Sequence, residues 1–296
     1  KLMGFRQIYI EDSAELSLCN DNIKVKKNEK SFLLPISDID LIFIENPYVS
    51  LTTRLATQLS KNNVTLIMCD EKYIPGSILL PLNGSNNQIE IFTLQIEQLP
   101  SKKDKLWEYI IRQKIINHSL VIKLIFKDLQ YLEFYEYSKN IKSGDKTFIE
   151  GSEARFYFRR LFGQKFIRHQ DDEINLALNY GYSIINSAII RTLVASGIDP
   201  KIGVHHDNKK NFFNLASDLL EPYRAFVDYY VYKNKDFIGE PLSRHIRLGL
   251  IDLLNQEVQI NNIKTTLSNS IKIMIYSFID YLKSGEIKDI KLVSFY

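Results

Sequence analysis

Of the five histidines in this 296-residue chain, two stand side by side, in Pro200-Lys201-Ile202-Gly203-Val204-His205-His206-Asp207-Asn208. Neutral imidazole is a common ligand for divalent metals, whereas a lone histidine in a polar loop is more often simply solvated, so the pair raises a metal hypothesis without establishing it. Just downstream, Asn214-Leu215-Ala216-Ser217-Asp218-Leu219-Leu220-Glu221-Pro222-Tyr223-Arg224 places Asp218 and Glu221 three apart on one helix face, with Asn214 a turn back. Such a polar stripe beside Leu215, Leu219 and Leu220 is costly to bury unless it binds something; left exposed, it is the solvated face of an amphipathic helix. Pro222 cannot donate to the Asp218 carbonyl, which kinks or loosens the backbone beside the acids. A third segment, Ser143 to Phe158, sets Glu150 at a helix start just before the small residues Gly151, Ser152 and Ala154. Small residues let another backbone or a ligand come close, and a glutamate there also complements the positive end of the helix dipole.

The elements that carry these residues follow from periodicity. Gln7 to Ile10, Ile23 to Val25, Ser31 to Leu34 and Ile39 to Ile44 read as strands between Asn, Asp and Lys clusters. Ser50 caps a helix with Leu51, Leu55 and Leu59 four apart, Asn62-Asn63 ends it, and Val64 to Cys69 is a further strand. Pro81, Asn83, Gly84, Ser85, Asn86 and Asn87 form the strongest turn signal, so a linker is expected at about 81–88. Beyond it the spacing predicts helices over 88–98, 102–125, 129–137, 148–162, 173–195, 212–232, 241–254 and 266–283. The expected fold class is α+β, with a small β-rich amino-terminal domain (1–86) followed by an all-α carboxy-terminal domain (87–296).

Composition agrees with a packed protein: 45% hydrophobic residues with 17 Phe and 17 Tyr exclude a disordered chain, and 12 Gly and 8 Pro exclude collagen-like or low-complexity classes. Cys19 and Cys69 lack metal-ligand spacing and suit core packing in a reducing compartment. Lys1 to Phe5 contains no apolar signal core, and Met3 is read as the natural start. The window Ile174 to Ile198 is broken by Asn175, Asn179, Asn186 and Arg191, so it reads as a buried helix rather than a membrane span, and a cytoplasmic protein is expected. Charge is uneven: residues 1–100 carry 9 Lys/Arg against 12 Asp/Glu, and residues 101–296 carry 29 against 23. The second part therefore permits an anionic partner such as nucleic acid.

Taken together, the segments resemble the Cas1 family, the integrase of CRISPR adaptation, in the form that accompanies Cas9-type (type II) systems. Its pattern E-G-x-x-A-R-x-Y-F matches Glu150-Gly151-Ser152-Glu153-Ala154-Arg155-Phe156-Tyr157-Phe158, its G-x-x-H matches Gly203-Val204-His205-His206, and its D-L-x-E-P-[FY]-R matches Asp218 to Arg224. Leu34 to Asp40 and Leu66 to Lys72 resemble its amino-terminal domain. The resemblance implies that Glu150, His206 and Glu221 are catalytic and ligate Mg²⁺ or Mn²⁺, with Asp218 a possible ligand one turn before Glu221. His206, not His205, lies in the family's register. Two carboxylates and an imidazole suit those ions, and the absence of a G-x-x-x-x-G-K-[ST] loop fits an exchange of phosphodiesters that needs no nucleotide hydrolysis.

The same resemblance implies a metal-dependent enzyme that inserts protospacer DNA into the CRISPR repeat by 3′-hydroxyl attack. It would act as a homodimer through the amino-terminal domain, in a heterohexamer with the small protein Cas2, and with other type II adaptation proteins if these are needed. Arg155, Arg159, Arg160, Lys165, Arg168, Lys209, Lys210, Arg244 and Arg247 are the candidates for DNA contact; the alternative for each is neutralising a nearby acid. Tyr157, Tyr223 and Tyr229 are read as core residues. Two other functions use the same residues: a structure-selective DNA endonuclease with water as nucleophile, and a non-catalytic DNA-binding scaffold.

Overall fold

The computed structural model describes residues 6–71, 75–81, 87–145 and 149–295. The chain divides into two compact units, Lys1–Asn86 and Asn87–Tyr296. Lys72 of the second amino-terminal motif, and residues 82–86 of the expected linker, lie outside the described residues.

In the first unit, β1 (Arg6–Ile10), β5 (Ile39–Ile44), β7 (Thr65–Cys69) and β8 (Pro75–Leu79) form one sheet in the order β1-β5-β7-β8. The first three run parallel and β8 is antiparallel to β7. β2 (Glu15–Cys19), β3 (Asn22–Lys27), β4 (Lys30–Pro35) and the two-residue β6 (Ser50–Leu51) form the other sheet, in the order β4-β3-β2-β6. All six residues of β5, Asp40 among them, are buried, as expected of a central parallel strand covered on both faces. Helix α1 (Thr53–Lys61) is capped by Thr52, two residues beyond Ser50: its side chain accepts from the Leu55 amide at 3.3 Å. Leu55 and Leu59 then point into the core with Leu16, Ile23, Ile42 and Leu66. Neither Cys19 nor Cys69 is in a disulfide, and both are half-buried.

The second unit is helical, with α2 (Gln88–Ile96), α3 (Pro100–Phe126), α4 (Tyr131–Asn140), α5 (Ile149–Phe162), α6 (Glu173–Ala195), α7 (Asn214–Leu220), α8 (Arg224–Asn234), α9 (Arg244–Asp252) and α10 (Leu267–Ser284). It is not purely α: β9 (Glu257–Ile260), β10 (Ile263–Thr266) and β11 (Val293–Ser294) make a small antiparallel sheet in the order β10-β9-β11. Asn261 and Asn262 both take positive φ in the β9–β10 turn, the conformation a two-residue hairpin loop requires.

Helices α3 and α6 run through this core. α3 buries Leu106, Trp107, Ile110, Ile111, Ile115, Val121 and Ile122, and packs against α4, α5 and α8. α6 is buried along most of its length and packs against α7, α8, α9 and α10. Among the described residues no helix is long and apolar enough to cross a membrane. The single helix expected over 212–232 is two: α7 stops at Leu220, a 3₁₀ turn holds Glu221–Tyr223, and α8 resumes at Arg224. Pro222 is the cause, since it lacks the amide that would continue the ladder. The Asn117 amide clamps the break by donating to the carbonyls of Pro222 (2.7 Å) and Val293 (3.0 Å).

Candidate active site

The histidine loop is built around one buried carboxylate. Asp218, fully buried on α7, accepts from the amides of Val204 (2.6 Å) and His205 (3.0 Å) through Oδ2, and from the amide of His206 (3.2 Å) through Oδ1. His206 Nδ1 donates to the same Oδ1 at 2.5 Å. A carboxylate only accepts, so the hydrogen sits on Nδ1 and Nε2 is the nitrogen left for a ligand. Gly203 is obligatory here: a Cβ would fall 2.2 Å from the His206 carbonyl oxygen and 3.0 Å from Asp218 Oδ2. Asn214, one turn before Asp218, donates to the Asn208 carbonyl at 3.2 Å and so closes the loop's far end.

His205 points elsewhere. Its ring stacks on Trp107 with centroids 4.3 Å apart and planes 3° off parallel, while His206 meets Trp107 edge-on at 5.5 Å. The adjacent imidazoles therefore part company, one on the α3 surface and one beside the acids. The loop's entry is held too, because Gln95 of α2 donates to the Asp199 carbonyl (3.0 Å) and accepts from its amide (2.9 Å).

Glu221 and Glu150 approach each other from the α7–α8 break and from the first turn of α5. Between them stands the ammonium of Lys114, 2.7 Å from Glu150 Oε1 and 2.6 Å from Glu221 Oε2. Arg224 Nε adds a bond to Glu221 Oε1 at 2.9 Å. Burial alone would raise the Glu221 carboxyl, yet the Arg224 and Lys114 charges hold it down at about 2. Burial works against the Lys114 charge as well, and the carboxylates of Glu221 and Glu150 more than reverse it, raising the ammonium above the ordinary lysine range. The His206 imidazole is raised chiefly by its bond to Asp218, with the Glu221 and Glu150 carboxylates adding to that. All three expected ligands thus act on one small region. Among the described residues no three His, Cys, Asp or Glu side chains converge closely enough to hold an ion as they stand. The donor chemistry is of the kind that suits a hard divalent cation, and the Lys114 ammonium stands between the carboxylates. Both Asp218 oxygens are spent on the loop, so its geometry suits orienting the imidazole.

One turn further along α3 lies a second cluster, fully buried. His118 Nδ1 donates to Glu153 Oε1 at 2.9 Å, its Nε2 is 3.8 Å from Asp228 Oδ2, and its ring stacks on Tyr157 at 3.7 Å. The Tyr182 hydroxyl donates to Asp228, whose carboxyl is raised by burial. Tyr157 and Tyr223 are buried, as read from the sequence, and Tyr229 is half-buried.

The basic candidates divide. Arg155, Arg159 and Arg168 line a cleft of about 340 Å³ with Gly151, Ala154, Phe158 and His169, and a Cβ at Gly151 would meet nothing within 4 Å. Arg168 also donates to Asn175 (2.6 Å) and Asn179 (2.7 Å). Arg160 is turned to Asp128 (2.6 Å) and lies over the Phe126 ring. Lys165, Lys209, Lys210 and Arg244 are exposed. Arg247 is not on the surface: it is buried and donates through Nη1 to the Leu242 carbonyl, because position 247 falls on the apolar face of α9 with Ile246, Leu250 and Ile251.

The family model for the CRISPR associated protein Cas1 matches residues 8–236. The chain belongs to the Cas1 family. A CRISPR-associated endonuclease Cas1 from Neisseria meningitidis serogroup C (strain 8013) is 32% identical over 293 residues, which is 98% of this chain and 96% of the relative. Among solved structures, a casposase bound to integration product superposes with a TM-score of 0.77 at 21% identity, over 96% of this chain and 92% of that one. A Cas6-RT-Cas1–Cas2 complex gives 0.75 at 17%, over 98% of this chain and 36% of the other. At these identities the structural likeness is one of fold.

Lys114 was missed by sequence reasoning, and so was the pairing of Arg224 with Glu221. The available signal was positional: Lys114, Asn117 and His118 are polar residues inside the otherwise apolar stripe of α3.

Proposed function

We propose that this Cas1 protein is the metal-dependent DNA integrase of CRISPR adaptation, in its type II form. It would join the 3′ ends of short foreign DNA to a CRISPR repeat by hydroxyl attack on repeat phosphodiesters. The observation that carries the reading is the approach of Glu150 and Glu221 to one cationic point beside an imidazole whose Nδ1 is fixed by Asp218. Glu150, Glu221 and His206 Nε2 would hold Mg²⁺ or Mn²⁺. When bound, such an ion lowers the pKa of a hydroxyl and stabilises charge on an attacked phosphate.

The rest falls to the chain's own residues. Asp218 fixes the tautomer and aim of His206, and Gly203 lets the loop turn tightly enough for it to do so. Arg224 keeps Glu221 ionised and oriented. The cleft of Arg155, Arg159 and Arg168 opens beside Gly151, one residue from Glu150, where phosphate contacts would position a strand without reading its sequence. The relative named an endonuclease and the casposase solved with its integration product support phosphodiester chemistry on this frame. Cas2 as partner is supported by the fold shared with the Cas1–Cas2 complex. Dimerisation is carried over from the resemblance alone, since both faces of β5 are already buried in one chain and need no second copy.

A supercoiled plasmid bearing the repeat, offered with a 3′-hydroxyl duplex with and without Cas2 and divalent ion, tests the proposal. Joined product that requires the ion is expected. Nicked plasmid alone would favour the endonuclease, and bound but unaltered DNA would favour the scaffold.

A further inference from the structure

Lys114 is the one lysine that is buried among the described residues, 8% exposed on the apolar face of α3. Its ammonium lies within 2.7 Å of one oxygen from each of the two carboxylates assigned above to metal ligation. Glu221 Oε2, buried, is held by this ammonium at 2.6 Å. A divalent ion in the same place would draw the same oxygen by its charge. Two cations cannot share one pair of carboxylate oxygens at such range without strong repulsion. The flexible four-carbon stem of lysine lets one of them leave.

We propose that Lys114 is the site's resident counter-ion: its ammonium holds Glu150 and Glu221 together in the metal-free protein and withdraws when a divalent cation binds. The inference rests on the metal-centre reading and adds to it a competition. The lysine stabilises the metal-free fold and at the same time weakens metal affinity, so that a loaded centre forms only where the ion outcompetes it.

Mn²⁺ alone, without DNA, is the probe. Binding to the full chain is followed by the electron paramagnetic resonance of free Mn²⁺, for wild type, Lys114→Met, Glu150→Gln and His206→Ala, with thermal unfolding of each metal-free protein alongside. Lys114→Met is expected to melt lower than wild type when metal-free and to bind Mn²⁺ about tenfold or more tightly. Folded Lys114→Met with equal or weaker Mn²⁺ binding overturns the competition. Wild-type binding that Glu150→Gln and His206→Ala both leave intact overturns the metal-centre reading, and this inference with it.

Should Lys114→Met not fold, the wild type decides. A buried, ion-paired ammonium gives a slowly exchanging side-chain ¹⁵N signal, and its loss on Mg²⁺ titration is expected. A signal unmoved at saturating Mg²⁺, or already absent from the metal-free protein, overturns the proposal.

Discussion

Helix α3 presents two rungs of the same design, one turn apart. On the first, Lys114 stands between Glu150 and Glu221; on the second, His118 stands between Glu153 and Asp228. Each acid of the second rung lies three or seven residues after its counterpart: α5 supplies Glu150 and Glu153, and the 3₁₀ turn and the helix α8 that follows it supply Glu221 and Asp228. The rungs differ in access: Glu150 keeps 27% of its side chain exposed and His206 beside it 41%, whereas Glu153, His118 and Asp228 are sealed to within 1%. They differ also in partners. Glu221 and Asp228 are both buried, yet the Glu221 carboxyl sits at about 2 and that of Asp228 is raised by burial. Two cations touch Glu221; Asp228 has a hydroxyl and an imidazole at 3.8 Å. Burial alone therefore does not set the chemistry of an acid. An open rung is placed to exchange its cation, and a closed one can only hold the helices together.

The largest effect is expected where the closed rung is cut. Glu153→Ala leaves the buried His118 without the carboxylate that its Nδ1 bonds, which costs about 3–5 kcal/mol of stability by denaturant unfolding. Glu150→Gln, partly in water, should cost far less; equal losses would break the distinction between the rungs. Next comes the imidazole's support. Asp218→Asn replaces one of the two accepting oxygens with a donor amide, so that His206 and the loop amides compete for the single acceptor left, and a fall in Mn²⁺ affinity of about 10- to 100-fold is expected by the resonance titration. Wild-type affinity would mean that the loop orients itself.

The outer part of the site reads by salt. Arg155→Ala and Arg159→Ala should each flatten the dependence of log affinity on log salt by about one unit, on two unrelated duplexes alike. Arg247→Ala should leave that slope unchanged and show its effect in stability instead. The last effect concerns pH. Because the Glu221 carboxyl is depressed from 4.5 to about 2, its contribution is complete above the unfolded value and is lost as pH falls toward 2. Metal-free Glu221→Gln should accordingly lose stability less steeply than wild type between pH 4.5 and 2, measured by unfolding across that range.

Much of this was legible where pattern and chemistry coincide. The run 39–44 and the helix 173–195 match β5 and α6 in the structure because long apolar stretches between polar breaks leave little choice. Glu150, His206 and Glu221 carry motifs, and the Pro222 break was readable from its missing amide. β9 and β10 were not read, although Asn261-Asn262 between two four-residue strands is a hairpin signal; the helix start at Thr266 was read, and Thr266 caps α10. Lys114 was overlooked because a lysine on a long helix is ordinarily solvated, and only its register with Ile110, Ile111 and His118 marks it as inward. Arg247 was taken for a surface charge for the same reason, although its register with Ile246 and Leu250 points inward.

On the proposed function the open rung performs chemistry and the closed rung does not. Single-turnover joining of a labelled 3′-hydroxyl duplex into a supercoiled repeat plasmid, with Glu150→Gln and Glu153→Gln side by side below their melting temperatures, tests it most directly. No joined product is expected from Glu150→Gln in Mg²⁺ or Mn²⁺, and joining near the wild-type rate is expected from folded Glu153→Gln. Joining by Glu150→Gln at the wild-type rate would contradict it.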